Sequence, residues 1–263
     1  MQEIMLSWKR HWRSGNEMTK ETKKWWESIS KDYQKGCKIP IDIHYGPGSP
    51  NEKHFKLLGN LKGKRILEIG CGGAQCGIAI AKEGAKVTGI DISKEQLKFA
   101  KNLAEKNKVK INFYRGDIRS LNQIKSKSQD IVFSAFALQY VDDLLKCFKE
   151  VYRVLKNKGI FVFSLDHPFY RTVNPKTLKL KESYFKIGKE VFTFSDPTKK
   201  FVCYEHSISE LYSYLADNKF QVEKIIEPDS RKKYSYDPWY GLWDYTPKLL
   251  KMFPPTIIFK ARK

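Results

Sequence analysis

Short apolar runs alternate with amphipathic stretches through most of the chain, and this alternation predicts an α/β fold. The apolar runs predict seven strands, at residues 65–69, 86–90, 110–114, 130–135, 159–165, 220–226 and 256–261. Helical spacing of apolar residues predicts helices at residues 74–83, 93–107, 142–155 and 207–218. Mostly apolar strands that alternate with helices form parallel sheets covered on both faces. We therefore expect a seven-stranded, mostly parallel sheet with helices on both sides.

Two parts of the chain depart from this alternation. Residues 1–60 are rich in helix-forming and aromatic residues, and we expect a helix there from Thr19 to about Tyr33. Residues 169–203 show little helical spacing and predict a small β-rich insertion after the fifth strand. Its alternating pieces are Ser183–Lys186 and Lys189–Phe194. We expect a helical N-terminal extension over residues 1–60 and a main domain over 61–263 that carries the insertion.

Composition narrows the class of protein only slightly. The chain has 263 residues, a net charge of +20 and no apolar run of membrane-spanning length, so we expect no membrane span. The positive charge is compatible with nucleic acid or an anionic membrane surface. It is spread along the chain and comes mostly from lysine, which favours a solvated surface, so a nucleic-acid partner is the less favoured expectation. Five cysteines without a Cys-x-x-Cys pair indicate reduced thiols, no metal site and a cytoplasmic protein.

The most informative motif follows the first strand. Glu68 precedes a glycine turn that contains Gly70 and Gly72, and the second strand ends at Asp91. Glycines allow the backbone to bend tightly and to approach a ligand, and an acid about 20 residues further on accepts hydrogen bonds from ribose hydroxyls. A dinucleotide-binding turn needs a third glycine where Gln75 stands. The pattern predicts a nucleotide-type site of another class.

With Glu68-x-Gly70-x-Gly72-x-Ala74, the chain resembles the class I S-adenosylmethionine-dependent methyltransferases, whose motif is acid-x-Gly-x-Gly-x-Gly. Further stretches resemble the type 11 group of small-molecule methyltransferases, namely Leu67–Gly72, Ala137–Val141, Val151–Lys156 and Leu165–Phe169. The resemblance implies a Rossmann-like sheet with an antiparallel last strand. It also implies S-adenosyl-L-methionine as cofactor and S-adenosyl-L-homocysteine as product.

The resemblance also implies which residues bind the cofactor, since ligands of open α/β sheets lie at the carboxyl ends of the strands. In the family, the acid matching Asp91 holds the ribose, the residue matching Ile92 packs on adenine, and an acid at Asp117 accepts the adenine amino group. The implied cofactor-binding residues are Tyr33, Glu68, Gly70, Cys71, Gly72, Gln75, Asp91, Ile92, Gln96, Asp117, Ile118, Ser134 and Phe136.

Two histidines are candidates for a general base. His167 follows the fifth strand, beside the expected methyl group, and His206 precedes the helix before the sixth strand. Each has a structural alternative, a hydrogen bond that fixes a turn for His167 and a position beside a helix cap for His206. A base is needed only when the acceptor must lose a proton.

Aromatic residues at both ends of the chain are candidates for the acceptor side of the site. The N-terminal set either covers the cofactor or packs on the sheet, and comprises Trp25, Trp26, Tyr33 and Tyr45. A second set either lines an acceptor pocket or forms an oligomer interface, and comprises Trp239, Tyr240, Trp243 and Tyr245. Both alternatives stay open at this point.

The predicted function is transfer of a methyl group to a small molecule. The alternatives are a methyltransferase acting on RNA or protein, and a cofactor-binding protein without transferase activity. The glycine turn identifies the methyl donor, whereas the acceptor and the oligomeric state are not encoded in any motif.

Overall fold

A computed structural model describes residues 15–193, 200–229 and 246–263. The helices are α1 (Gly15–Cys37), α2 (Glu52–Phe55), α3 (Gln75–Lys82), α4 (Lys94–Lys106), α5 (Leu144–Val154), α6 (Ile208–Asp217) and α7 (Pro247–Leu250). The strands are β1 (Arg65–Ile69), β2 (Lys86–Asp91), β3 (Ile111–Arg115), β4 (Gln129–Ala135), β5 (Leu155–Asp166), β6 (Gly188–Thr193), β7 (Lys200–Glu205), β8 (Gln221–Ile226) and β9 (Thr256–Arg262).

Seven strands form one sheet in the order β3-β2-β1-β4-β5-β9-β8. Strands β1 to β5 pair in parallel, and β9 lies antiparallel between β5 and β8. This confirms the predicted Rossmann-like sheet with an antiparallel last strand. The strand order reverses between β1 and β4, and such a switch point opens a crevice at the carboxyl ends of the strands.

The core occupies both faces of the sheet. On one face α5 buries Phe148, whose ring centroid lies 5.4 Å from Phe161 and 5.2 Å from Phe163. Burial of such a side chain stabilises the fold by about 1.5–3 kcal/mol. On the other face Tyr45 packs edge-on against Phe133, with centroids 5.8 Å apart. The helices on both sides confirm the expected layer arrangement.

The insertion after β5 is a separate two-stranded antiparallel sheet of β6 and β7. It confirms the β-rich insertion, although β7 was not predicted as a strand. The expected strand character of Ser183–Lys186 is wrong, because the Lys186 amide bonds back to the Ser183 carbonyl in a turn. Residues 194–199, between the two strands, lie outside the described part of the chain.

Helix α1 is longer than predicted and is docked on the sheet by one acid. Glu27 accepts hydrogen bonds from the backbone N–H groups of Lys94 at 3.0 Å and Glu95 at 3.3 Å, and it pairs with Arg115 at 2.9 Å. A carboxylate at a helix N-terminus is stabilised by the unpaired N–H groups and the helix dipole. This contact places α1 beside the carboxyl ends of β2 and β3.

No helix within the described residues combines the length and apolar character needed to cross a bilayer. Trp239, Tyr240, Trp243 and Tyr245 lie outside the described residues, as do residues 1–14 of the predicted extension.

Candidate active site at the carboxyl ends of the strands

A cavity of about 1010 Å³, which includes the space at its mouth, lies at the carboxyl ends of β1, β2 and β4. Helix α1 forms one wall with Thr22, Trp26, Tyr33 and Gln34, and strand β7 contributes Tyr204. Clefts at the carboxyl ends of the strands of α/β sheets bind cofactors and small substrates. The cavity therefore lies where the strand order predicts a ligand site.

The glycine turn forms the floor of the cavity. Gly70 and Gly72 have φ of +65° and +50°, and Ala74 has φ of +58°. A Cβ on Gly70 would lie 2.5 Å from the Cβ of Ala137, so a side chain does not fit there. Ala74 adopts the left-handed conformation at a cost of about 1 kcal/mol, because its Cβ approaches the carbonyl oxygen. The turn needs this conformation at Ala74, where the family motif has glycine.

Asp91 joins the glycine turn to the end of β2. Its two carboxylate oxygens accept hydrogen bonds from the backbone N–H of Gly72 at 2.8 Å and of Ser93 at 2.9 Å. Burial raises the pKa of Asp91 to about 6, although the backbone N–H bonds counteract that rise. The carboxylate is held rigidly at the cavity wall and keeps lone pairs for a ligand.

Glu68 is buried beneath the turn. Burial raises its pKa to about 8, against the effect of the Gly77 backbone N–H, and the charge of Asp91 raises it further. Gly77 leaves room for this carboxyl group, since a Cβ there would collide with the Glu68 Oε2 atom. Burial and the charge of Asp91 therefore favour the protonated form of Glu68.

Arg119 joins two acids at another edge of the cavity. Its Nε atom donates to both carboxylate oxygens of Asp117 at 3.0 Å, and its Nη1 atom pairs with Asp142. Burial acts to raise the pKa of Asp117, but the hydrogen bonds and charge of Arg119 outweigh it and hold the pKa below its ordinary value. Burial raises the pKa of Asp142 despite the same guanidinium.

The aromatic residues of α1 divide between the cavity and the core. Trp26 lines the cavity, with its ring centroid 5.3 Å from both Tyr33 and Tyr140 in edge-on geometry. Tyr45 is fully buried, and its hydroxyl donates to Glu52. Trp25 is also buried and lies outside the cavity lining. Trp26 and Tyr33 thus line the cavity and Trp25 and Tyr45 are buried, whereas a cover over the cofactor remains a prediction.

Three glutamines connect α1 to the cavity floor. The Gln75 amide donates to Gln34 at 2.7 Å, and the Gln34 amide donates to Gln96 at 2.8 Å. Gln34 belongs to α1, whereas Gln75 begins α3 and Gln96 lies in the first turn of α4. No motif marks Gln34, because its partners lie 41 and 62 residues away in the chain.

The charge of the cavity is opposite to that of the whole chain. Among the described residues its ionisable carboxyl groups are Glu68, Asp91, Asp117 and Asp142, whereas Arg119 is its only permanent cation. His44 also lines it, and burial lowers the pKa of His44 to about 4, so this ring is neutral. An acidic lining suits a positively charged ligand.

The predicted cofactor-binding residues line this cavity with one exception. Ser134 is buried beneath it, where its hydroxyl donates to the Ile69 carbonyl at 3.0 Å and holds β4 against β1. Residues that the sequence reasoning did not assign include Thr22, Gln34, Arg119, Asp142 and Tyr204. No motif marks them, because they come from distant elements that meet only in the folded chain.

Neither predicted base lines the cavity. The His167 Nδ1 atom accepts from the Phe169 backbone N–H at 3.1 Å, and its Nε2 atom donates to Glu227 at 2.7 Å. Burial lowers the pKa of His167. The turn-fixing alternative therefore describes its observed contacts, and a catalytic role remains a prediction.

His206 borders a second cavity of about 330 Å³ beside the insertion. Burial lowers the pKa of His206 to about 4. In the same region ligand-type atoms of Glu190, Cys203 and Glu205 lie within 4.8 Å of one another. Arg171 already pairs with Glu205 at 3.1 Å and supplies the positive charge of this cluster.

The lining of the main cavity fits S-adenosylmethionine. Asp91 has the rigid carboxylate that a ribose requires, and the glycine turn leaves space where side chains would stand. The acidic lining matches the positive charges of the sulfonium and ammonium groups. The fold and site thus define a nucleoside-cofactor enzyme with a methyl donor site.

Comparison with known proteins agrees with this class. Residues 60–232 match the family model of the methyltransferase domain, so the chain belongs to that family. Two solved structures with a TM-score of 0.65 have the same fold. One is a Listeria monocytogenes protein assigned as an S-adenosylmethionine-dependent methyltransferase, 25% identical, with 81% of this chain and 95% of that chain covered. The other is an S-adenosylmethionine-dependent methyltransferase from Mesorhizobium loti, 24% identical, with 80% and 95% covered.

Two proteins are similar to this chain in sequence. An uncharacterised protein from Haemophilus influenzae is 26% identical over 247 residues, covering 88% of this chain and 92% of that protein. A ubiquinone biosynthesis O-methyltransferase from Coxiella burnetii is 38% identical over 112 residues, or 43% of this chain. The match spans about half the length of that relative, 47%. The chain is an S-adenosylmethionine-dependent methyltransferase, as the glycine turn predicted.

Proposed function

We propose that this methyltransferase acts on a small-molecule acceptor bound in the main cavity. One observation carries the proposal. Thr22 Oγ1, Asp142 Oδ2 and Tyr204 Oη are buried, line the cavity and have no hydrogen-bond partner among the described residues. A buried polar group without a partner costs about 1–3 kcal/mol. Three such atoms from separate elements around one cavity favour a ligand that supplies their hydrogen bonds.

We propose that the cofactor binds to those predicted residues that line the cavity. Asp91 would hold the ribose hydroxyls, and Ile92 and Ile118 would pack against the adenine. Glu68 would lie towards the ammonium end. When bound, the cofactor supplies a methyl group made electrophilic by a positively charged sulfur. The task of the protein is then to align an acceptor with that methyl group and to exclude water.

The remaining lining indicates the chemistry of the acceptor. Trp26 and Tyr140 provide aromatic faces for an apolar or aromatic body. Asp142 and Tyr204 offer oxygens to a hydroxyl or amine on that body. Because Arg119 is already bound to two acids, the cavity disfavours a phosphorylated or carboxylated acceptor. Asp142 is also placed to accept the proton that the acceptor loses on methylation.

We propose that α1 serves as a lid over this site. It supplies a wall of the cavity, and its Gln34 bonds to side chains on both sides of the cofactor site. Entry of a ligand requires these bonds to open, and their closure would then exclude water. The base roles predicted for His167 and His206 do not belong to this proposal, because neither ring lines the cavity.

Incubation of the enzyme with methyl-labelled S-adenosylmethionine and fractionated cell extract tests the acceptor class. We expect label in small neutral or cationic molecules, including those extracted into organic solvent. Asp142→Asn and Tyr204→Phe should keep binding of S-adenosylhomocysteine and lose most of the transfer, whereas Tyr212→Phe, exposed on α6, should change neither.

RNA or protein is the second candidate acceptor, because the net charge of +20 is compatible with a polyanionic partner. Label in RNA or protein, with transfer that falls steeply as salt is added, would replace the small-molecule proposal. Binding of S-adenosylhomocysteine without transfer to any fraction would contradict both acceptor classes.

A further inference from the structure

The insertion exposes apolar side chains to solvent. Leu180 is 71% exposed, Phe185 81%, Ile187 38% and Val191 45%. These four are among only ten large hydrophobic side chains exposed in the described parts of the chain, and they fall within residues 180–191. Such a concentration marks an interaction site more often than isolated exposed residues do.

Exposed lysines lie among these apolar residues. They are Lys176, Lys179, Lys181, Lys186 and Lys189. Lys186 pairs with Glu182, and Lys189 pairs with Glu21, whereas the other three form no ion pair within the described residues. We call the four apolar side chains and these five lysines the insertion surface. Residues 176–191 carry these five lysines and two glutamates, and basic and apolar side chains alternate at 179–181 and 185–187.

The backbone of the insertion surface is held in place. The Lys181 amide bonds to the Thr172 carbonyl at 2.8 Å, and the Tyr184 hydroxyl accepts from the Ile208 amide at 3.1 Å. Tyr184 is half-buried and lies beside Phe169, while its neighbour Phe185 points to solvent. The neighbouring aromatic side chain of Tyr184 faces inward, whereas that of Phe185 remains exposed to solvent.

We propose that the insertion surface docks this enzyme on an anionic lipid membrane. Apolar side chains of this kind enter the boundary between headgroups and acyl chains, and lysines beside them pair with lipid phosphates. The lysines match the charge of an anionic bilayer, and Leu180 and Ile187 match its apolar boundary. An RNA partner would leave these aliphatic side chains without a role.

Docking would bring the cavity close to the bilayer. The insertion supplies Tyr204 to the cavity wall, and Lys189 joins it to Glu21 of α1. An acceptor dissolved in the membrane would then reach the site without crossing water. The docking proposal stands on the surface alone and holds whichever acceptor is methylated.

Co-sedimentation with lipid vesicles tests the proposal. We expect the enzyme to bind vesicles of equal parts phosphatidylcholine and phosphatidylglycerol about tenfold more strongly than vesicles of phosphatidylcholine alone, with loss in high salt. A double variant with Leu180→Ser and Phe185→Ser should lose most of this binding. A matched variant with Tyr212→Ser and Met252→Ser, two exposed side chains elsewhere, should retain it.

A charge-reversal pair separates the basic contribution from the apolar one. Lys179→Glu with Lys181→Glu should weaken binding to the anionic vesicles about tenfold, whereas Lys98→Glu with Lys101→Glu on α4 should have a smaller effect. Unchanged binding of S-adenosylhomocysteine shows that each variant is folded and that the cofactor site is intact.

Four outcomes would overturn the docking proposal. The first is no binding to the anionic vesicles. The second is a loss of vesicle binding in the Tyr212→Ser and Met252→Ser variant as large as that in the Leu180→Ser and Phe185→Ser variant. The third is a dimer in light scattering that Phe185→Ser dissociates, which would make the surface a contact between two copies. The fourth is binding of single-stranded RNA that the same substitution weakens, with no effect on vesicles.

Discussion

Substitution of Asp91 by asparagine tests the cofactor site most directly. The carboxylate accepts the backbone N–H groups of Gly72 and Ser93, one on each oxygen. An asparagine keeps one acceptor oxygen and turns an NH₂ group towards the other N–H, so the turn loses a hydrogen bond. The substitution also removes the charge that strengthens hydrogen bonds to two ribose hydroxyls.

The expected loss of cofactor affinity follows from these bonds. Hydrogen bonds to a charged group contribute about 1.5–3 kcal/mol each, so weakening two of them costs about 3 kcal/mol. Since 1.4 kcal/mol is a factor of ten, the Kd for S-adenosylhomocysteine should rise about 100-fold. Isothermal titration calorimetry at about pH 7.5 measures this Kd. At that pH the carboxylate of Asp91 is ionised, because its pKa is about 6.

Asp130→Asn is the matched control. Asp130 lies at the opposite end of the sheet, where it bonds to the Arg65 amide and pairs with Lys156. This variant should bind the ligand with a Kd within about twofold of the parent enzyme, because the site is untouched. If a folded Asp91→Asn protein also has a Kd within threefold of that of the parent enzyme, the assignment of Asp91 to the ribose is refuted.

Three further predictions concern the same site. Burial raises the pKa of Asp91 to about 6, and ribose hydroxyls favour its ionised form. The Kd for S-adenosylhomocysteine should therefore fall about tenfold from pH 5 to pH 7. A Kd that calorimetry finds constant over this pH range contradicts the prediction. Gly70→Ala should destabilise the fold by about 2 kcal/mol in urea unfolding, more than Gly63→Ala, where φ is +75° but space is open. Gln34→Ala should speed ligand dissociation about fivefold in stopped-flow fluorescence, because it removes the contact of α1 with the cavity floor. Lys35→Ala, exposed on the same helix, should leave the dissociation rate unchanged. Equal dissociation rates for the two variants would exclude the lid contact.

Local patterns of apolar and polar residues were sufficient to predict most strands of the sheet. The predicted strand at 65–69 coincides with β1, and the predicted helix at 93–107 corresponds to α4, which the Ser93 hydroxyl caps by accepting the Gln96 amide. The error at Ser183–Lys186 has a local cause, because alternating polar and apolar residues also suit a turn that carries exposed side chains. The missed strand β7 depends on pairing with β6, which alternation within one segment does not reveal.

The sequence by itself determined the fold class, the glycine turn and the methyl donor, because these depend on short-range spacing and backbone conformation. The tertiary structure decided which side chains line the cavity. It brought Gln34, Arg119, Asp142 and Tyr204 to one cavity and turned His167 towards Glu227. Such residues lie far apart in the chain, and only the packing of helices, loops and the insertion against the sheet brings them to one cavity.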